Sequence, residues 1–164
     1  MDAASETPHT MRSATGWEAL LAGLQGGMVG ALWMLGWFGL SDAWRHRTFW
    51  NAENLFATAF YGDAALSGGF TSKTLVGAAL YLLVYSSLGA AFGAALRNEA
   101  RPVRVLLLSL AVALVWYYAS FHWLWKTAIP LAALLEPERP AILGHLIYGT
   151  WLSRFRVYLG ANAG

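Results

Sequence analysis

Two histidines are the side chains of this sequence best suited to chemistry. His122 lies in the stretch SFHWLWK, near the end of a long apolar run, and His145 lies in ILGHLIYG, near the start of the next run. Tyr118 stands four residues before His122 and Tyr148 three residues after His145, so in helices each tyrosine shares a face with its histidine. Two antiparallel helices would place both histidines at the same membrane side and at similar depth. The candidate cofactor-binding residues are therefore His122, His145, Tyr118 and Tyr148.

These side chains admit three interpretations. Two histidines can be the axial ligands of a b-type haem, but helices in direct contact are only about 8–10 Å apart, which is too close for a porphyrin between them. One histidine can instead bind a quinone, a chlorophyll or a lipid headgroup, and Gly149, one turn after His145, leaves space there for a flat group. The third interpretation makes each histidine a polar residue at a helix end, satisfied by backbone, tyrosine or water.

No metal site and no enzyme is predicted. No acidic or third ligand stands beside either histidine in its run, and zinc or a similar ion needs more than two protein ligands. The chain has no cysteine, which excludes thiolate metal sites and covalently attached haem. The motifs of serine hydrolases, zinc proteases, P-loops and dinucleotide-binding turns are absent from the sequence.

Composition indicates that lipid is the solvent for much of this chain. Of its 164 residues, 57% are hydrophobic and 12% are charged, and the charged share is about half that of a globular protein. The net charge is only +2, and the arginines form no run that could follow a phosphate backbone. A nucleic-acid partner is therefore not predicted.

Four apolar runs predict an all-α polytopic membrane protein with a bundle of four transmembrane helices over residues 17–160. About 20 helical residues cross a hydrocarbon core of about 30 Å, and helices satisfy their own backbone groups in lipid. The fourth run carries Arg154 and Arg156 in its last third, so it crosses only if both side chains reach the headgroups or face protein. The predicted spans are residues 17–40, 74–96, 103–125 and 140–159.

Two further segments lie outside the predicted spans. The stretch WNAENLFATAFYG predicts a short amphipathic helix over residues 51–61, lying in the membrane interface; a loop folded over the mouth of the bundle is the open alternative. Residues 1–16 are polar and mixed in charge, unlike a signal peptide, and predict a short, mostly disordered tail. In SFHWLWK, the tryptophans Trp123 and Trp125 predict part of an aromatic belt, and Lys126 a side chain that reaches the headgroups.

Small residues at four-residue spacing predict close packing between helices. The first run contains GLQGGMVGA and the second contains SSLGAAFGAA, and such spacing lets helix backbones approach each other in lipid. Whether the partner helices belong to this chain or to another is left open by the sequence. The predicted packing residues are Gly23, Gly26, Gly27, Gly30, Gly89 and Gly93.

The stretches RTFWNAENLFATAFYG, VWYYASFHWLWK and RPAILGHLIYG resemble a family of small bacterial four-span integral membrane proteins of unknown function. The resemblance covers the chain from about residue 20 onward. It implies a four-span architecture, without implying any catalytic or ligand residue. The predicted location is the bacterial inner (plasma) membrane, with the chain crossing it several times. The short loop RNEARPVR is basic, which predicts that it lies in the cytoplasm, and with four spans both termini are then cytoplasmic as well.

The function predicted from these features is that of an accessory or scaffold subunit in a larger membrane complex. Small-residue helix faces, short extramembrane parts and the lack of reactive groups favour it. The predicted partners are the lipid bilayer and either other membrane subunits or a second copy of the chain. Two alternatives remain: a membrane anchor of a redox or pigment complex with haem, chlorophyll or quinone near His122 and His145, and a lipid- or small-molecule-binding membrane protein.

Overall fold

A computed structural model of the chain describes residues 15–66 and 68–162, and all regular structure in these ranges is helical. The prediction of an all-α protein is therefore confirmed. Of the predicted tail, residues 1–14 lie outside the described residues. The α-helices are α1 (Gly16–Trp44), α2 (Asn51–Tyr61), α3 (Ser72–Ala95), α4 (Pro102–Ala119), α5 (Trp125–Ala128), α6 (Pro130–Leu135), α7 (Glu138–Leu152) and α8 (Phe155–Asn162). A 3-10 turn over Gly62–Ala65 follows α2, and a π-helical segment over Ser120–Leu124 joins α4 to α5.

Local sequence fixes where the long helices begin. The Thr15 side chain accepts a hydrogen bond from the backbone N–H of Glu18, and the Glu18 carboxylate accepts one from the N–H of Thr15 at 2.8 Å. This reciprocal capping box satisfies donors that the first turn of a helix leaves free. Pro102 is the first residue of α4, where its missing N–H costs nothing.

Three helices in the described residues are long and apolar enough to cross a membrane, namely Gly16–Trp44, Ser72–Ala95 and the continuous run Pro102–Ala128. Their length and apolar composition indicate a membrane protein. The predicted fourth span, residues 140–159, is not one helix, because the chain turns at Ser153 and Arg154 between α7 and α8. The Arg154 guanidinium lies over the Trp151 ring, 4.8 Å from its centroid, a contact that partly shields its charge from lipid.

Glycines bring α1 and α3 into direct backbone contact, which is the most extensive contact between two of the described helices. A Cβ added at Gly23 would lie against the carbonyl oxygen of Gly89, and one at Gly93 would lie against the carbonyl oxygen of Ala19. Gly27 approaches α3 in the same way. Packing rather than the hydrophobic effect holds helices together in lipid, so these glycines set the strength of the contact.

A neighbouring face of α1 packs against α7 and α8. Gly144 of α7 lies against the Phe38 ring. Nearer the start of α1, Gly26 lies against Phe155 of α8. The start of α7 thus contacts the second half of α1, and α8 contacts its first half. The two short helices together therefore run antiparallel to α1. Gly30, between these points, also faces α7. The small-residue faces of α1 are thus covered by helices of the same chain.

The long segments form a bundle that is open on one side. Helix α1 packs against α3 and α7, and α7 packs against α4. Among the described helices, α4 has no comparable contact with α3, although a short loop joins them. The missing contact leaves a groove between α3 and α4 along the membrane-facing surface.

Replacing Gly27 with Ala is expected to lower the free energy of unfolding by about 1–3 kcal/mol, because the added methyl group overpacks the contact with α3. The matched control on the same helix is Gly36→Ala, since a Cβ at Gly36 meets nothing within 4 Å. Thermal unfolding in detergent measures both. Equal unfolding temperatures for the two variants would contradict the assigned role of Gly27.

Candidate functional site

His145 is fully buried in the bundle, and the protein uses both of its ring nitrogens. Nδ1 lies 2.7 Å from the carbonyl oxygen of Ala141, and Nε2 lies 2.8 Å from the hydroxyl oxygen of Tyr85. A carbonyl oxygen can only accept, so Nδ1 carries the proton and Nε2 accepts a hydrogen bond from Tyr85. Neither nitrogen is left to ligate a haem iron.

Tyr148, the second candidate residue on α7, also forms a hydrogen bond with Tyr85 of α3. Its hydroxyl donates a hydrogen bond to the backbone carbonyl of Tyr85 at 2.8 Å, and the two rings meet edge-on with centroids 5.0 Å apart. The Tyr85 ring also stacks on Tyr81 at 4.4 Å. All three tyrosines are buried, so α7 is fastened to α3 by an aromatic cluster with hydrogen bonds inside it.

His122 lies apart from this cluster, in the π-helical segment that joins α4 to α5. Its Nε2 is 3.6 Å from Oε1 of Glu138, and its side chain is 35% exposed. The ring lies against Tyr118 with centroids 4.7 Å apart, and Tyr118 itself is 68% exposed. Single π-helical turns within helices are frequent at functional sites, and this one sets His122 at the edge of the bundle.

Tyr117 fills the space between the two histidines. Its ring centroid is 6.0 Å from that of His122 and 5.3 Å from that of His145, and its hydroxyl donates to Glu138 at 3.2 Å. The interpretation that Gly149 leaves space for a flat group is wrong, because a Cβ there would meet α4 at 3.0 Å. The four predicted site residues therefore lie in two places: His145 and Tyr148 both contact Tyr85 inside the bundle, and His122 lies against Tyr118 at its edge.

The tryptophans of SFHWLWK lie in different environments. Trp123 is 77% exposed, whereas Trp125 is 4% exposed. The Trp125 ring meets Phe56 of α2 edge-on with centroids 5.1 Å apart. The prediction that Trp125 belongs to an aromatic belt is wrong, since α2 covers it.

Three buried carboxylates form a second cluster, where α2 and α6 cover the end of α1. Asp42, Glu53 and Glu136 are at most 8% exposed. Asp42 accepts a hydrogen bond from the Asn51 amide at 3.1 Å and lies 3.8 Å from Arg47. Among the described residues, Oε2 of Glu53 and Oε2 of Glu136 have no hydrogen-bond partner.

Burial above all, together with the charges of nearby Asp42 and Glu53, raises the pKa of the Glu136 carboxyl to about 8, although Arg47 and Arg45 oppose the rise. Burial likewise raises the pKa of Glu53 to about 7, with a contribution from Asp42. Both carboxyls therefore hold a proton through much of the neutral range. No group of three or more His, Asp or Glu side chains suited to a metal ion occurs in residues 15–66 and 68–162.

A groove runs along the α3 and α4 faces on the open side of the bundle. Three cavities of about 270–290 Å³ follow one another along it and share Leu88, Val112 and Trp116 at their borders. On α3 the groove extends from Leu80 to Leu96, about 24 Å at 1.5 Å per residue. It therefore follows most of a hydrocarbon core about 30 Å thick.

The sequence alone did not identify the buried tyrosines between α3 and α7 or the buried carboxylate of Glu136. Tyr81 and Tyr85 stand four apart in a charge-free run, and that spacing was the available signal for a buried aromatic row. No local signal marks Glu136, which follows a short apolar helix packed against α2 and is buried in the tertiary structure.

The fold and the groove define the class of this protein as a small α-helical membrane protein with an open helix bundle. Comparison of the chain with models of protein families, with curated proteins and with solved structures found no match.

Replacing Glu136 with Gln is expected to stabilise the protein at pH 8 and above. Because the pKa in the folded state lies above the ordinary 4.5, the folded state binds more protons than the unfolded state between about pH 4.5 and 8, and the free energy of unfolding falls as pH rises through that window. Glutamine stays neutral and removes this loss, on the order of a few kcal/mol. Thermal unfolding from pH 5 to 9 measures it, with the exposed Asp63→Asn as control; a wild-type slope in Glu136→Gln would refute the assignment.

Replacing Tyr85 with Phe is expected to cost about 0.5–2 kcal/mol of stability, because it leaves Nε2 of the buried His145 unpaired. Tyr118→Phe removes an exposed hydroxyl and is expected to change nothing measurable. Unfolding of both variants in detergent decides between a structural and a dispensable role for the Tyr85 hydroxyl. Identical stability of the two variants would show that the hydrogen bond to His145 contributes nothing.

Proposed function

We propose that this protein is a non-catalytic accessory subunit of a larger membrane complex and that the groove between α3 and α4 holds a transmembrane helix of a partner subunit. The open side of the bundle is the observation that supports it. Helix α3 packs on α1, and α4 packs on α7, so each leaves a long apolar face without a partner helix in the described chain. A further helix lying between them would close the bundle.

Small side chains suit the groove to a helix. Ala91 and Ala95 line it one turn apart on α3, and Ala111 and Ala119 line it on α4. Small residues at such spacing let another helix approach closely, and close packing is what drives helix association in lipid. The glycine rows of α1 cannot serve this purpose, because α3, α7 and α8 already cover them.

In this proposal α7 and α8 together make the fourth crossing of a four-helix bundle. They run antiparallel to α1 along most of its length, which would return the chain to the side where α1 begins. Both termini and the loop with Arg97 and Arg101 then share one side, and the basic loop favours the cytoplasm. The membrane in this proposal is the inner membrane of a bacterium.

The alternative of a redox or pigment anchor has less support from the geometry. His145 makes two hydrogen bonds within the protein, and Tyr117 lies between it and His122. His122 is the more accessible of the two. An absorption band of haem or chlorophyll in the purified protein that disappears in His122→Ala would favour this alternative over the accessory subunit.

Site-specific cross-linking tests the proposed function directly. Because the chain has no cysteine, a single cysteine at Ala91 or Val115 can carry a photoactivatable cross-linker inside the groove in native membranes. The expected product is one discrete adduct with a different membrane protein. An adduct of twice the chain's own mass would indicate self-association and contradict the proposal.

The matched controls use an exposed position on another helix. Leu32 on α1 is 51% exposed and lies outside the groove, so a cross-linker there is expected to give no discrete adduct. Ala91→Phe fills the groove and is expected to abolish the adduct formed from Val115, whereas Leu32→Phe leaves it. An adduct that survives Ala91→Phe would place the partner elsewhere.

A further inference from the structure

A second membrane-facing groove, between α1 and α7, ends at two arginines. Its two cavities, of about 380 and 330 Å³, share Trp37 and Leu143. Arg45 and Arg139 line one of them. The other continues along α7 to Trp151, so one groove joins a basic mouth to an apolar channel.

The apolar channel has the length of one lipid leaflet. From Arg139 to Trp151 the helix rises about 18 Å at 1.5 Å per residue, and half of a hydrocarbon core is about 15 Å. The Trp37 side chain that lines the channel is held in place, because its indole N–H donates a hydrogen bond to the carbonyl oxygen of Pro140 at 3.0 Å. The far end is closed by Trp151, whose ring stacks on Trp33 with centroids 5.2 Å apart.

The two arginines at the mouth are free to bind an anion. No ion pair within 4 Å joins either of them to a carboxylate in the described part of the chain. Asp42 is paired with Arg47, and the neighbouring Glu138 is engaged by Tyr117 and His122. Arg45 does attract the buried carboxylates of Asp42 and Glu136.

Little of that attraction remains at neutral pH. Burial raises the pKa of Glu136 to about 8, so most Glu136 carboxyls are neutral there, and the charge of Asp42 faces Arg47. The mouth of the groove therefore carries an excess of positive charge at the level where α1 ends. Trp44, 85% exposed, lines the same cavity, and tryptophan is typical of the headgroup level of a membrane.

We propose that the groove between α1 and α7 binds one anionic phospholipid, with its phosphate at Arg45 and Arg139 and an acyl chain along Trp37, Leu143 and Trp151. Guanidinium groups match phosphate oxygens in charge and geometry. The apolar channel matches the acyl chain in length and chemistry. A bound lipid would cover the apolar surface between α1 and α7 on the side away from the proposed partner helix.

Native mass spectrometry of the full-length protein in detergent tests this binding. Phosphatidylglycerol and phosphatidylcholine with the same acyl chains are added separately. Each arginine beside an anionic headgroup contributes about fivefold in affinity, so Arg45→Gln with Arg139→Gln is expected to weaken phosphatidylglycerol binding roughly 25-fold. The matched control, Arg97→Gln with Arg101→Gln, removes two exposed arginines elsewhere and is expected to leave binding unchanged. Equal binding of the two lipids, or an equal loss in the control, would overturn the proposal.

Further experiments test the acyl-chain channel and the phosphate site separately. Leu143→Trp fills the channel without changing charge and is expected to abolish lipid binding, so unchanged binding would place the lipid outside the groove.

Inorganic phosphate, which has no acyl chain, is expected not to displace the lipid at millimolar concentration; complete displacement would show an anion site and overturn the proposal. Arg139→Gln alone, at an exposed position, is expected to fold normally and to lose about fivefold in affinity, and full affinity in this variant would contradict the role of Arg139.

Discussion

The backbone contact of α1 with its neighbours is the constraint on which this structure depends. Apolar side chains gain little in lipid by leaving it for a protein interior, so helices associate through close packing and hydrogen bonds. Helix α1 carries glycines on two sides, with Gly23 and Gly27 against α3 and Gly26 and Gly30 against α8 and α7. One helix therefore holds both halves of the bundle, and among the described helices α4 packs chiefly on α7.

That arrangement explains why polar side chains lie inside an apolar bundle. Where α7 meets α3, His145 and Tyr148 fasten the two helices through Tyr85, and both groups are satisfied, as buried polar groups must be. At the end of α1, by contrast, Glu53 and Glu136 keep unpaired oxygens and hold protons instead of charges. The first cluster joins helices, whereas the raised pKa values of the second predict that stability at this end of the molecule depends on pH. The same arrangement leaves two grooves on different sides of the molecule, one suited to a helix and the other, with arginines at its mouth, to a lipid.

Much of the fold follows from local sequence. The apolar runs predict the long helices, Thr15 with Glu18 marks the start of α1, and the glycine spacing marks the helix faces that come together. Local sequence did not predict the structure of the fourth apolar run. Its apolar residues indicate a helix over 140–159, but the chain turns at Ser153 and Arg154, and α8 is placed by its contact with α1 rather than by its own sequence.

By itself the sequence determined the class of the protein, because composition and the length of apolar runs decide which solvent a chain needs. It also determined that His122 and His145 are uncommon residues for their surroundings. Only the tertiary structure decided what they do: His145 is occupied by Tyr85, sixty residues earlier in the chain, and Tyr117 stands between the histidines. The physical reason is that helices surrounded by lipid are apolar on every side. Apart from the spacing of the glycines, periodicity therefore carries no record of which face meets which neighbour, and the groove between α3 and α4 appears only once the packing of α1 has been settled.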